Sequence, residues 1–237
     1  MPAGSREKMS TRTNSPAPVA DIAPLDTVGW LAEQPPEFRD WVRRHGRWRR
    51  YAAGQFIYHA GDPSDGLYGL AEGGLEVSFP LFAEEQVTLH RAEIGFWIGD
   101  NAELAETPRV LTVRAVSPSR LLHLPSGAIR ALLAEHPHHW REFYRLSSRN
   151  ASTAVVLLSE ALALTVRARV CRRLLMLADS SRDVSVTQEE LGRLVGAART
   201  TLRRCLIDLA QRGAIELRYR RVVIVDRAVL SSFKDEQ

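Results

Sequence analysis

Thr187–Gly213 reads TQEELGRLVGAARTTLRRCLIDLAQRG, and the fold turns on it. Thr187 followed three residues later by Glu190 is a capping box, in which each side chain satisfies a backbone N–H at a helix start. The helix it opens buries Leu191, Leu194 and Val195. Gly196-Ala197 makes a tight turn. A second helix then buries Leu202, Leu206 and Leu209, with Cys205 alongside, and stops at Gly213. Arg199, Thr200, Arg203 and Arg204 stand at i, i+3, i+4 relations on its opposite face, in the N-terminal half. A recognition helix presents that half to the DNA major groove, where arginine's planar fork matches both acceptors of a guanine edge. Capped helix, turn and basic helix together predict a helix-turn-helix. Two short β-runs follow, joined at RYRR. Arg218, Arg220 and Arg221 on this tip would reach a phosphate backbone, or would simply guard a sheet edge against aggregation.

The charge distribution points the same way. The chain has 237 residues and a net charge of +4. From Arg167 to Arg221 there are 13 arginines against 6 acids, a local balance of +7. Such a segment suits a polyanion, nucleic acid first and an anionic membrane second. With 45% hydrophobic and 25% charged residues the composition is that of a globular protein, long enough for two domains. No run approaches the roughly 20 apolar residues of a membrane span. The N-terminus lacks a signal-peptide core, so a cytoplasmic protein without membrane partners is expected. Cys171 and Cys205 make neither a disulfide framework nor an iron–sulfur or metal ligand set. Cys205, close to arginines, reads as a small buried hydrophobe, with a redox thiol as the alternative. His59, His90 and His123 fall on separate β-runs, which speaks against a haem ligand. His136-Pro-His-His139 reads as solvated histidines in front of a helix rather than a metal site.

Organisation follows from texture. Residues 1–24 are Ser/Pro/Ala/Thr-rich without periodicity and read as a disordered tail. Residues 25–136 carry EFRDWVRRHG, a short helix with Phe38, Trp41 and Val42 on one side. After it come short β-runs with glycine punctuation at Gly54, Gly61, Gly66, Gly73, Gly74, Gly95 and Gly99, the signature of a small antiparallel roll. Residues 137–166 lack glycine, and proline beyond Pro137, and form one long helix. Phe143, Ser147, Asn150, Ala154, Leu157, Ala161 and Leu164 alternate by four and three, the seam expected of a dimer, with a lone surface helix packed on its own barrel as the alternative. Residues 167–237 hold the helix-turn-helix. The class is α+β: an N-terminal antiparallel β-roll, a long dimerisation helix and a C-terminal winged helix-turn-helix.

These residues resemble the CRP/FNR family of bacterial transcription regulators over about residues 30 to 230. The likeness rests on Thr187–Gly196, on the basic helix after it, and on Gly54…Gly61-Asp62…Tyr68…Gly73. It implies a homodimer on double-stranded operator DNA, touching RNA polymerase if it activates, and no catalytic activity. It puts Arg199, Thr200 and Arg204 at base-reading positions, and Thr187, Gln188 and Glu189 near phosphates. Thr200 replaces the family's acidic base reader and Ala198 its serine cap, so a different half-site is expected. Gly95–Ala115 resembles the family's phosphate-binding cassette, as Gly99-Asp100-Asn101-Ala102 and then Pro108-Arg109-Val110-Leu111. By that resemblance Arg109 and nearby backbone N–H groups clamp a cyclic phosphate, Asp100 holds a ribose hydroxyl, and cyclic AMP or cyclic GMP is the effector. Val110 departs from the small or hydroxylated residue of the pattern. Ala154 and Val155 fall where hydroxyl residues meet the base. Another ligand, redox control or no effector stays open, as do the remoter readings of a nucleotide-regulated enzyme or a scaffold.

Overall fold

The computed structural model describes residues 19, 21–82, 85–178 and 182–237. Most of the stretch read as a tail lies outside the described residues; Ile22, inside it, is fully buried.

After a 3-10 turn at Trp30–Glu33 comes α1 (Pro36–His45), which opens on proline, stops at Gly46 and buries Phe38, Trp41 and Val42 as its spacing predicts. Eight strands follow: β1 (Arg47–Tyr51), β2 (Phe56–Tyr58), β3 (Gly66–Glu72), β4 (Leu75–Phe82), β5 (Glu85–Ala92), β6 (Trp97–Ile98), β7 (Thr112–Ala115) and β8 (Ser119–Pro125), with α2 (Asp100–Leu104) between β6 and β7. They form two antiparallel four-stranded sheets, ordered β1-β8-β3-β6 and β2-β7-β4-β5. Tyr58, Tyr68, Leu70, Val77, Ile98, Val113 and Leu121 fill the space between them.

α3 (Ser126–Glu135) leads into α4 (Trp140–Ala163). At 1.5 Å per residue α4 is about 36 Å long. Its first turns close an aromatic core: Trp30 meets Trp97 edge-on at 5.3 Å and Phe38 at 5.7 Å, and its Nε1–H donates to the Glu142 carbonyl at 2.9 Å. This core corrects the expected seam. Phe143 is fully buried inside the chain's own N-terminal domain, and Ser147, Asn150, Ala154 and Leu157 line a cavity against the roll. The apolar stripe left to solvent lies one residue on, at Tyr144, Ser148, Ala151, Val155, Leu158 and Leu162. Both stripes step by four and three, so spacing alone cannot choose between them. The bulk of Phe143 and Leu146, pulled into the core, sets the helix rotation.

The chain breaks at Leu164–Thr165, and the Thr165 hydroxyl accepts from Ala168 N to start α5 (Val166–Leu177). Arg167 pairs with Asp208 and Glu236, and Arg172 with Glu160 and Asp235, so ion pairs hold α5 on both sides. The C-terminal domain continues with β9 (Asp183–Val184), α6 (Gln188–Val195), α7 (Arg199–Gln211), β10 (Ile215–Arg218), β11 (Arg221–Ile224) and α8 (Arg227–Phe233). Its sheet runs β10-β11-β9, and Leu174, Leu191, Leu202, Leu206, Leu209, Val222 and Leu230 pack as one core. The third strand, α8 and α3 were not legible in the sequence. β9 is two residues long, and α8 is held by the Asp226 carboxylate accepting from Ala228 and Val229 N–H. Among the described residues no helix is long and apolar enough to cross a membrane.

Candidate nucleic-acid interface and roll cavity

The helix-turn-helix forms as the spacing predicts. Both halves of the capping box are made: Thr187 Oγ1 accepts from Glu190 N at 3.1 Å, and Thr187 N–H donates to Glu190 Oε2 at 2.8 Å. Burial opposes ionisation of Glu190, yet the Thr187 donors outweigh it and hold the carboxyl below the usual range. Gly196 ends α6 at φ 60°, a left-handed turn that disfavours any side chain. That turn sets α7 across α6, with Leu202, Leu206 and Leu209 inward. Arg199, Thr200, Arg203 and Arg204 are all exposed. Among the described residues the three arginines make no hydrogen bond or ion pair. Gln188 and Glu189 lie exposed beside them, with Glu189 paired to Arg193. The Thr187 hydroxyl is committed to the cap.

On the hairpin β10–β11, Arg218 pairs in register with Arg221, leaving Tyr219-Arg220 as a two-residue turn with Arg220 at φ 55°. The three basic residues differ in engagement. Arg218 holds Glu216 bidentately at 3.0 and 2.9 Å, and Arg221 reaches Asp183 at 3.2 Å. Arg220 is exposed and, among the described residues, unpaired. A groove of about 580 Å³ separates Val87 and Thr88 of β5 from Gln188, Glu189 and Arg199, so the β4–β5 hairpin stands beside the start of α7.

The second site is a cavity of about 460 Å³ between the roll and α4. Asp100 and Asn101 line it, as does Ala154, with Leu89, Phe96, Leu111, Asn150 and Leu157. Asn150, Leu111 and Leu157 were not expected here. Asn150 Nδ2 donates to the Asp100 carboxylate at 2.8 Å and to the Trp97 carbonyl at 3.1 Å, tying α4 to the cassette. Ala102 is buried. Five candidates depart from expectation: Gly99, Ala102 and Arg109 do not line the cavity, Val155 is 62% exposed on the far stripe of α4, and Val110 is half exposed while its neighbour Leu111 lines the cavity. Successive helical residues differ by about 100°, so Ala154 and Val155 cannot both face the roll of one chain.

Arg109 is buried and engaged. Its guanidinium donates to the Gly99 and Gly66 carbonyls and to Asp65 Oδ1, at 3.1, 2.7 and 2.9 Å, and lies 4.3 Å over the Tyr58 ring. Gly99 is required there: at φ 106°, a Cβ would come within 2.5 Å of Arg109 Nη1. Burial opposes ionisation of Asp65, but Tyr68, His123 and Arg109 together hold its carboxyl below the ordinary range. Arg109 Nε is buried without a partner, so one donor of this side chain is left over.

Other candidates resolve simply. Burial pushes the Cys205 thiol up to about 11 and the Cys171 thiol up to about 12, against the pull of Arg167, which removes thiolate chemistry at neutral pH. His139 is buried rather than solvated, with Nδ1 3.3 Å from Glu142 Oε2. Among the described residues no group of three His, Cys, Asp or Glu is placed to hold a metal.

Comparison with known proteins matches the two domains. Residues 48–136 match the cyclic nucleotide-binding domain family, and residues 168–233 match the Crp-like helix-turn-helix domain family. A CRP-like cAMP-activated global transcriptional regulator of Mycobacterium tuberculosis is 26% identical over 187 residues, covering 74% of this chain and 83% of that protein. The HTH-type transcriptional regulator Cmr of the same organism is 28% identical over 181 residues, 76% of this chain and 72% of the relative. Among solved structures, a CRP-family transcriptional regulator of Thermus thermophilus is 27% identical with a TM-score of 0.67, over 78% of this chain and 96% of that one. The global regulator CLP of Xanthomonas campestris shares the fold, with a TM-score of 0.69 at 21% identity, over 81% and 100% of the two chains. With a roll, a long helix and a winged helix-turn-helix in this order, the chain belongs to the CRP/FNR family of transcriptional regulators.

Proposed function

We propose that this protein is a homodimeric, sequence-specific regulator of transcription in the cytoplasm, whose DNA affinity is set by a small effector in the roll cavity. The observation that carries the DNA reading is the presentation of Arg199, Thr200, Arg203 and Arg204: exposed, with unpaired guanidiniums, on a helix fixed by the capping box and Gly196. A flexible basic tail would give charge without register; a rigid fork can discriminate base edges. The exposed stripe from Tyr144 to Leu162 supplies the dimer contact, and two-fold symmetry then gives two reading helices. Selection of bound duplexes from a random pool tests this. The expected outcome is a near-palindrome with half-sites about one helical turn, 10–10.5 bp, apart; enrichment of no motif refutes it. As an activator the protein would contact RNA polymerase as well.

Cyclic AMP, then cyclic GMP, is the effector this reading puts first. The relative from M. tuberculosis is named for cAMP activation, and Asp100 and Arg109 stand at the cassette positions. Asp100 would serve a ribose hydroxyl, and Asn150 beside it would contact the same ligand. The Asp100–Asn150 bond suggests the route outward: a ligand that takes Asp100 releases α4. β5 carries the signal too, since Leu89 and His90 line the cavity while Val87 and Thr88 of the same strand face α6. A second reading, an effector of another class, is favoured by the engagement of Arg109 with Asp65, Gly66 and Gly99 and by the largely aliphatic and aromatic wall. Calorimetric titration with both nucleotides separates the two. Heat in the wild type that is lost in Arg109→Ala supports the nucleotide; no heat with either leaves the second reading and the DNA function standing.

A further inference from the structure

A second cleft, of about 870 Å³, lies between the two domains on the other side of α4, with walls from β5, α4, α5 and α8. Its base holds Arg173, only 8% exposed. Among the described residues the Arg173 guanidinium forms no ion pair and no hydrogen bond to oxygen; its one contact is Nη1 to Met176 Sδ at 3.8 Å. Of the neighbouring cations, Arg149 pairs with Glu33, Arg172 with Glu160 and Asp235, and Arg227 donates to the Leu175 carbonyl, while Lys234 is exposed rather than buried. A buried guanidinium costs several kcal/mol to desolvate and is ordinarily paired, so an unpaired one beside open volume points to an absent anion. Burial lowers the Arg173 pKa, and the charges of Glu160 and Glu93 oppose that pull without pairing with the guanidinium. The Nδ1 of His90, also buried and without a partner, borders the same space. Val156, Leu157, Leu175 and Met176 give the wall an apolar part, and Ser152, Thr153, Glu160, Arg227, Ser231, Lys234 and Asp235 complete it.

We propose that this cleft binds a small organic anion, with its carboxylate or phosphate on Arg173, His90 Nδ1–H donating a second contact, and an apolar body against Leu157, Leu175 and Met176. The volume falls within the range of small-molecule sites, about 300–1,000 Å³. The cleft is distinct from the roll cavity; His90, Thr153 and Leu157 line both and form the partition between them. It also stays open in a dimer joined through the Tyr144–Leu162 stripe, because Arg149, Thr153, Val156 and Glu160 lie on the opposite face of α4. β5 and α4 belong to the sensor, and α5 and α8 to the DNA-binding domain. A ligand bridging them holds the two domains in this arrangement, a lever on DNA affinity separate from the roll.

Titration of the full-length protein with 8-anilinonaphthalene-1-sulfonate, an anion on apolar rings, tests the site by fluorescence. The expected result is saturable binding of one probe per chain. Arg173→Gln and Met176→Glu should each weaken it at least tenfold, while Ala154→Phe, which fills the roll cavity, should leave it unchanged. Met176 is at the rim, and its variant keeps the test open if loss of Arg173 disturbs the fold; thermal unfolding checks both. Decanoate should displace the probe and inorganic phosphate at equal concentration should not. Wild-type affinity in the folded variants, loss in Ala154→Phe, or displacement by phosphate as strong as by decanoate would overturn the proposal.

Discussion

Replacing Leu158 and Leu162 with serine should take the protein apart into single chains. In one chain these side chains are 59% and 80% exposed, on the stripe that begins at Tyr144. Fully burying a leucine is worth about 1.5–3 kcal/mol, so covering the exposed fractions of both contributes about 3 kcal/mol per chain. A symmetric interface contains two copies. Serine keeps the Cβ and little else, so the double substitution should cost about 5 kcal/mol, or three to four decades in the dimer Kd. Sedimentation velocity from nanomolar to micromolar concentration reads that shift directly. Leu157→Ser is the matched control: one residue away, on the seam that sequence spacing predicted, it lines the roll cavity instead. It should leave the dimer Kd unchanged. A double variant as dimeric as the wild type, or a control that dissociates equally, would refute the assigned helix rotation.

Three further outcomes are expected. Arg199→Ala should relax preference at one base pair per half-site by about 1–3 kcal/mol in a binding assay on single-base variants of the selected site; equal loss on random DNA would exclude base reading. Arg220→Ala should weaken all sequences alike and lower the log–log salt slope by about 0.9 per chain, whereas Arg218→Ala should do less, because Arg218 already spends both its contacts on Glu216. Burial, then the charge of Arg173, pulls the His90 pKa down to about 4. The unfolded chain therefore takes up the proton first, and stability present above pH 6.5 falls by about 3 kcal/mol on going to pH 4. Denaturant unfolding of His90→Gln between pH 7 and 4 should show that much less pH dependence than the wild type; parallel profiles would contradict it.

What was legible in the sequence had local causes. Thr187 and Glu190 announce a helix start whatever surrounds them, Gly196 announces its end, and the leucine spacing of α7 fixes its buried face. The roll was legible as a class from glycine punctuation and short β-runs. Illegible features were those set at long range. The rotation of α4 depends on Trp30, Trp97 and Phe38 gathering around Phe143, residues more than 40 positions away. Asp65, now the partner of Arg109, carries no local mark of that role in GDPSDGLYG. Asn150 was visible as a polar break in an apolar seam. Its meaning came only with Asp100, 50 residues earlier, at the start of α2.

The arginine count shows how far composition can be pressed. Of the 13 arginines between Arg167 and Arg221, six hold acids: Arg167, Arg172, Arg193, Arg212, Arg218 and Arg221. Arg173 is buried at the domain boundary. The local charge of +7 is therefore not seven charges offered to DNA. Arginines in ion pairs build the domain and its hinge, and an arginine already holding a carboxylate gains less from a phosphate, since one favourable contact is exchanged for another. Arg199, Arg203, Arg204 and Arg220 are different: exposed, unpaired among the described residues, and mounted on a recognition helix and a hairpin tip. Affinity for DNA should follow these four rather than net charge. Two proteins of this architecture with equal charge can then differ widely in salt dependence, according to where the acids sit.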